Sequence, residues 1–326
     1  MPASSPSATA PTSRTARWLR NARARPSCSS ARRREEDGMR SYLFVPGDSE
    51  KKLDRALSAG ADALIVDLED SVAPGEKARG REVAAAFLAR AAGEAGRPRL
   101  LVRVNALDTD LIGADLDAVM PGAPDGIVLP KAAGGHDVAH LAAMIAVREA
   151  EYGLADGGTT ILAIATETAK GIFALGTYPG ASHRLRGLAW GGEDLSADIG
   201  AEANRDEAGA YTEPYRLARS LTLFGAAAAE IDAIDSVYTA FRDTDGLAAE
   251  CRAARRDGFV AKLAIHPAQV PVINAAFTPS PEEVARARAI VDAFAADPGA
   301  GVVAIEGEMI DMPHLKRARR VLARAG

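Results

Sequence analysis

From Tyr42 to Ala276 the chain alternates two hydrophobic rhythms. Short runs rich in Val, Ile, Leu and Ala are each followed by a longer stretch whose apolar residues recur every three or four positions. The first rhythm suits a strand buried on both faces, and the second suits an amphipathic helix. The strand-like runs are 42–45, 63–67, 100–104, 126–129, 160–165, 185–190, 233–237 and 259–265. The helical stretches between and after them are 49–59, 76–92, 111–119, 137–151, 168–176, 212–229, 245–257 and 267–276. Strands that alternate with helices pair in parallel, because each helix carries the chain back across the sheet. Eight such units over about 240 residues is the size of a (β/α)8 TIM barrel, with a doubly wound open sheet as the alternative.

The pattern continues past the eighth unit. Ser280-Pro-Glu-Glu283 has the form of a helix start, with proline in the first turn and acids at the positive end of the helix dipole. That helix should run to about residue 296 and break at Asp297-Pro-Gly299; a final basic helix follows from His314. The organisation expected is therefore a tail over residues 1–38, a barrel over 39–278 and a C-terminal helical extension over 279–326. The extension is placed to cap an active site, that of its own or of a neighbouring subunit. The tail holds eight arginines and three acids, a net of +5, which leaves −10 on the rest of a chain whose total is −5. Too polar to bury a core, it is expected to be disordered. It resembles an organelle-targeting peptide, but a start at Met39, which runs directly into the first strand, is the favoured reading.

Charge and composition narrow the function. An acidic body argues against a nucleic-acid partner. No apolar run approaches the roughly 18 residues that cross a bilayer. Cys28 and Cys251 lie too far apart to suggest a disulfide framework or a zinc site. The expected compartment is the cytoplasm, or the mitochondrial matrix if the tail is a transit peptide.

In a (β/α)8 barrel the reactive groups sit at the C-terminal ends of the strands. Those ends carry Asp67-Leu-Glu69-Asp70, Arg103, Lys131, Glu167, Glu193-Asp194, and then Lys262 and His266. The run Arg186–Ser196 is the most telling of them: an apolar strand, two glycines that permit close approach, and two acids. Carboxylates without Cys or His at ligand spacing suit a hard cation, Mg2+ or alternatively Mn2+, and Glu167 with Asp194 is the natural pair because their strands would be adjacent. Arg103 lies within an apolar strand and must meet an anion, either a substrate carboxylate or enolate or a structural partner in Asp67 or Glu69. His266 is either catalytic or bonded to its own loop. Lys51 and Lys52 follow the first strand and are candidates for holding a polyphosphate, against the commoner reading of a solvated helix face.

Several stretches, in order from residue 39 to about 324, resemble the citrate lyase β-subunit-like family of the HpcH/HpaI aldolase superfamily. They are Arg40-Ser-Tyr-Leu-Phe-Val-Pro-Gly47, Val66-Asp-Leu-Glu-Asp-Ser-Val72, Val102-Arg-Val-Asn105, Ala165-Thr-Glu-Thr168, Gly191-Gly-Glu-Asp-Leu195, Ala233-Ile-Asp-Ser-Val-Tyr238, Gly258–Pro267 and Met309-Ile-Asp-Met-Pro313. The resemblance implies an Mg2+-dependent lyase that makes or breaks a C–C bond in an acyl-CoA thioester of the malyl-CoA or citramalyl-CoA type, with a 2-oxo acid as the other partner. It also implies a homo-oligomer, a trimer or a dimer of trimers.

Matched residue by residue, it makes Glu167 and Asp194 the metal ligands and Arg103 the holder of the oxo acid or enolate. Asp67 would stand behind a metal-bound water, and Glu69 and Gly192 would line the substrate. Lys51 and Lys52, which lie outside the matched stretches, become candidates for the CoA phosphates. Asp311 would be the acid–base group, delivered to a neighbouring subunit. Asp70 stands where the class II oxo-acid aldolases carry a histidine base, which argues against that chemistry. Ala261 replaces a glycine common among relatives and leaves the part played by Lys262 open. The alternatives are a thioesterase acting on malyl-CoA-like substrates and a citrate lyase β-subunit working in a complex. A non-enzymatic barrel has no use for so many charges together.

Overall fold

The computed structural model describes residues 38–325. The tail expected over residues 1–38 lies, apart from Gly38, outside the described residues. Eight parallel strands close on themselves in sequence order, from β1 to β8 and back to β1. They are β1 (Ser41–Pro46), β2 (Ala63–Asp67), β3 (Arg99–Arg103), β4 (Gly126–Leu129), β5 (Thr160–Ile164), β6 (Leu185–Ala189), β7 (Asp232–Asp235) and β8 (Ala261–Ala264). The intervening helices are α1 (Glu50–Leu57), α2 (Lys77–Ala91), α3 (Ile112–Val119), α4 (Gly135–Glu151), α5 (Ala169–Phe173), α6 (Gly192–Asp198), α7 (Glu213–Ala228) and α8 (Thr244–Asp257), and α9 (Val270–Phe277) follows β8. The (β/α)8 barrel is therefore the fold, and the open sheet is not.

Alternation along each strand sorts its side chains between two cores. Tyr42, Ile65, Leu101, Val128, Leu162 and Leu263 fill the barrel interior, while Leu64, Val66, Leu100, Val102, Ile127 and Leu188 pack outward under the helices. This is why the strands read as unbroken apolar runs. The observed strands are shorter than the runs at several ends: β7 stops at Asp235 and β8 begins at Ala261. Hydrophobicity continues into loops that pack on the barrel, whereas strand ends are set by pairing.

After α9 the chain builds a separate module. Here α10 (Pro281–Ala296) and α11 (Met312–Arg324) flank an antiparallel pair, β9 (Val302–Ile305) and β10 (Glu308–Asp311). Its apolar residues, Ala287, Ile290, Phe294, Ile310, Leu315 and Ala318, form a core distinct from those of the barrel. Helix α10 begins with a capping box, in which Ser280 Oγ accepts from the Glu283 N–H and Glu283 accepts from the Ser280 N–H. The ion pair Arg255–Glu283 ties the start of α10 to the end of α8.

Candidate active site

The barrel's interior core ends at its C-terminal rim in charge. Asp67 and Arg103 are register partners on β2 and β3, and each is the next inward position after the apolar Ile65 and Leu101. Arg103 Nε and Nη2 donate to the two carboxylate oxygens of Asp67, both at 2.7 Å, in the fork geometry that matches guanidinium to carboxylate. Asp67 also accepts the backbone N–H groups of Glu69 and Ser71. Burial works against its charge, but the Arg103 hydrogen bonds win and hold the carboxyl below its usual range. The guanidinium also lies 4.8 Å from the centre of the Phe44 ring. Its Nη1 stands 3.0 Å from Glu69 Oε2, an ion contact without the alignment of a hydrogen bond.

Lys131 crosses this cluster. Its backbone adopts the left-handed conformation (φ 51), which costs a non-glycine residue roughly 1 kcal/mol and is tolerated where the surroundings enforce it. In that conformation its N–H donates to Glu167 Oε2, and its ammonium reaches Glu69 (2.5 Å), Asp194 (3.2 Å) and Asp70 (3.6 Å). Glu167 lies just past β5 and is 3% exposed. Burial first, and then the Asp194 carboxylate, push its carboxyl up to about 8. Gly191 makes this packing possible, because a Cβ there would fall 2.5 Å from Glu167 Cγ.

The cluster brings five carboxylates, Asp67, Glu69, Asp70, Glu167 and Asp194, against two cations, Arg103 and Lys131. Asp67 is satisfied by Arg103; Glu167, buried beside Asp194, is the carboxyl whose charge is least supported. Among the described residues no group of three or more His, Cys, Asp or Glu is arranged to hold a metal. Two carboxylates on a negatively biased mouth nevertheless fit Mg2+, which commonly takes one or two protein carboxylates and fills its other positions with water or substrate. A divalent cation between them would reverse the repulsion that raises Glu167. Beside the cluster lies a cavity of about 380 Å3, lined by Asp67, Asp70, Ser71 and Arg103 together with Phe44, Pro46, Val237 and Ile265. Its lining combines polar groups suited to an acid with apolar groups suited to a chain.

The other expected residues fall elsewhere. Lys262 is not a mouth residue: its neighbours Ala261 and Leu263 face the interior, so it points outward, fully buried, to Asp235 (2.7 Å) and to Glu250 on α8 (2.8 Å). His266 caps the turn after β8, its Nδ1 accepting from the Ala268 N–H, and stacks on Phe241. Lys51 and Lys52 are exposed on α1. Gly192 opens α6 against the Trp190 ring. Asp311 is the N-cap of α11 in the C-terminal module; its carboxylate is bound to His314 (2.5 Å) and, among the described residues, makes no ion pair with the mouth. The contact with His314 holds it below the usual carboxylate range. Arg205 and Tyr211 carry no motif in the sequence; Trp190, which ends an apolar strand just before Gly-Gly, and Asp235, within Ala233–Tyr238, carry a local signal but not their partnership.

Fold and mouth together define the class: a (β/α)8 barrel enzyme with an acidic, arginine-containing site at the C-terminal ends of its strands. The chain belongs to the HpcH/HpaI aldolase/citrate lyase family, whose match spans residues 40–267, and it is an enzyme of the carbon–carbon lyase class. It is 36% identical to a (3S)-malyl-CoA thioesterase of Cereibacter sphaeroides over 88% of this chain and 94% of that one. It is 32% identical to the mitochondrial citramalyl-CoA lyase of Rattus norvegicus over 92% and 90% of the two chains. The crystal structure of CitE from Mycobacterium tuberculosis with magnesium, acetoacetate and coenzyme A superposes with a TM-score of 0.71 at 33% identity, covering 90% of this chain and 99% of that one. Among the described residues no helix is long and apolar enough to cross a membrane.

Proposed function

We propose that this protein is an Mg2+-dependent lyase that cleaves or forms a 3-hydroxyacyl-CoA thioester of the malyl-CoA or citramalyl-CoA type, with acetyl-CoA and a 2-oxo acid as the other side of the reaction. The observation that carries this reading is the closeness of Glu167 to Asp194 and to Arg103, the last of which lines a cavity of mixed polar and apolar character. Glu167 and Asp194 would hold the cation; bound there, Mg2+ supplies Lewis-acid polarisation and a template for an oxo acid. Arg103, pinned by Asp67, keeps its orientation while negative charge builds on the thioester oxygen, so its stabilisation costs no reorganisation. In this reading Lys131 and Glu69, paired with each other beside Arg103, would help orient the acid. Lys51 and Lys52, exposed on α1, would meet the CoA phosphates in this reading.

Asp311 is the proton-transfer group in this reading. It is ionised, as a base must be, and it sits on a module with its own core whose bonds do not draw it into the mouth of its own barrel. In this reading it is delivered to the mouth of a neighbouring copy, within a trimer or dimer of trimers. Asp311→Asn should leave Mg2+ binding intact and lower turnover by roughly 100-fold or more. Normal turnover would remove Asp311 from the mechanism.

The likeness to a (3S)-malyl-CoA thioesterase favours a second reading, hydrolysis of the same thioester. Mass spectrometry of the CoA species separates the two. Protein, Mg2+, acetyl-CoA and glyoxylate or pyruvate yield a heavier acyl-CoA if the lyase reading holds. Release of free CoA from malyl-CoA, with no acetyl-CoA, establishes hydrolysis instead.

A further inference from the structure

On the outer face of the barrel wall, directly behind the mouth, six side chains close a circuit. The indole Nε1–H of Trp190 donates to Asp235 Oδ1 (2.8 Å). Asp235 Oδ2 accepts from Lys262 Nζ (2.7 Å), and Lys262 also donates to Glu250 (2.8 Å). Glu250 accepts from Arg205 (2.8 Å); the Arg205 guanidinium lies 3.7 Å from the centre of the Tyr211 ring; and Tyr211 meets Trp190 edge to face at 4.9 Å. The circuit ties β7, β8 and α8 to the segment between α6 and α7, and all of these to Trp190.

Trp190 is the residue immediately before the turn that carries Asp194. We propose that this circuit is a positioning frame for the turn Gly191–Asp194, and that Trp190, Asp235 and Lys262 act on the site through it without touching substrate. The inference rests on the reading of Glu167 and Asp194 as the cation site.

The argument is steric and directional. A Cβ on Gly192 would stand 3.0 Å from the Trp190 ring, and one on Gly191 would stand 2.5 Å from Glu167 Cγ. The turn is thus clamped between the indole and the Glu167 side chain. An indole free to tilt would move Gly192, and with it Asp194 two residues on and Glu167 behind Gly191. The Nε1–H bond removes that freedom, since a hydrogen bond weakens steeply as it leaves alignment. Apolar packing could fill the same volume at no loss of stability, but it would not fix a ring's rotation. Asn204, in the segment tied down by Arg205 and Tyr211, donates to Glu193 (2.8 Å) and holds the turn from its other side.

The test compares the full chain with Trp190→Phe, which keeps every ion pair and removes only the indole N–H and one ring, and with Lys262→Met. Amide hydrogen exchange is followed by mass spectrometry, and Mg2+ affinity by calorimetry. Trp190→Phe should speed exchange in residues 191–195 about tenfold while peptides from β2 and β3 keep their rates, and should raise the Mg2+ dissociation constant about tenfold. Unchanged exchange at 191–195, equal acceleration throughout the barrel, or local acceleration with unchanged Mg2+ affinity would each overturn the proposal. If the unsubstituted chain binds no Mg2+, the metal reading fails, and exchange at 191–195 alone decides whether the circuit holds the turn. If Lys262→Met does not fold, Trp190→Phe carries the test.

Discussion

Two charged clusters sit on opposite sides of one barrel wall, and they differ in balance. Behind the wall, Asp235, Glu250 and Asp257 meet Lys262, Arg205 and Arg219, acid for base. In the mouth, five carboxylates meet only two cations. The outer cluster is balanced around the fully buried pair Asp235 and Lys262, and it stabilises a geometry. The inner one is left with excess negative charge and a carboxyl raised well above its ordinary range, which a protein retains where something positive is to bind. The difference separates what holds the site from what does its chemistry, although both clusters pair a lysine with acids at the ends of apolar runs.

The sharpest division between them should be in activity. Glu167→Gln and Asp194→Asn are expected to lower Mg2+-dependent turnover roughly 1000-fold while the protein stays folded, measured as the rate of CoA-species conversion; undiminished rates in both would dissolve the mouth cluster as a site. Stability should divide them the other way. Lys262→Met leaves Asp235 and Glu250 short of a buried cation and should cost about 3–5 kcal/mol in denaturant unfolding, against about 1 kcal/mol for Lys131→Met in the partly open mouth. Equal losses would break the comparison.

The pH dependence of the metal-free protein comes next in size. Glu167 keeps its proton in the folded state up to about 8, whereas the unfolded chain releases it near 4.5. Between those values the folded state binds more protons, so this group's contribution to stability falls as pH rises, by a few kcal/mol in all. Urea midpoints taken from pH 5 to 8.5 should show that decline, and Glu167→Gln should flatten it; an identical slope in the variant would place the titration elsewhere. A smaller change in sequence, Gly191→Ala, probes the packing of the mouth, because its methyl meets Glu167 Cγ. Overpacking there should cost about 1–3 kcal/mol and weaken Mg2+ binding more than it weakens folding.

Much of the mouth was legible because a barrel converts a linear signal into a place. Asp67, Arg103, Lys131, Glu167 and Asp194 each end an apolar run, and closure of the eight strands collects those ends on one rim. Lys262 followed the same pattern and misled, since only the parity of β8 sends it outward. Asp311 was legible as a motif residue but not as a place, for its module packs on a core of its own.

Sequence by itself determined the alternation of elements, the barrel and the family, because burial on both faces of every strand and on one face of every helix writes periodicity into the chain. Tertiary structure alone decided which charges face each other. The ion pair of Asp67 with Arg103 spans 36 positions and that of Lys131 with Glu69 spans 62, and strand register and side-chain parity settle such partnerships. The same holds for the raised carboxyl of Glu167. Its cause is burial beside Asp194, a matter of distance in space that spacing along the chain does not encode.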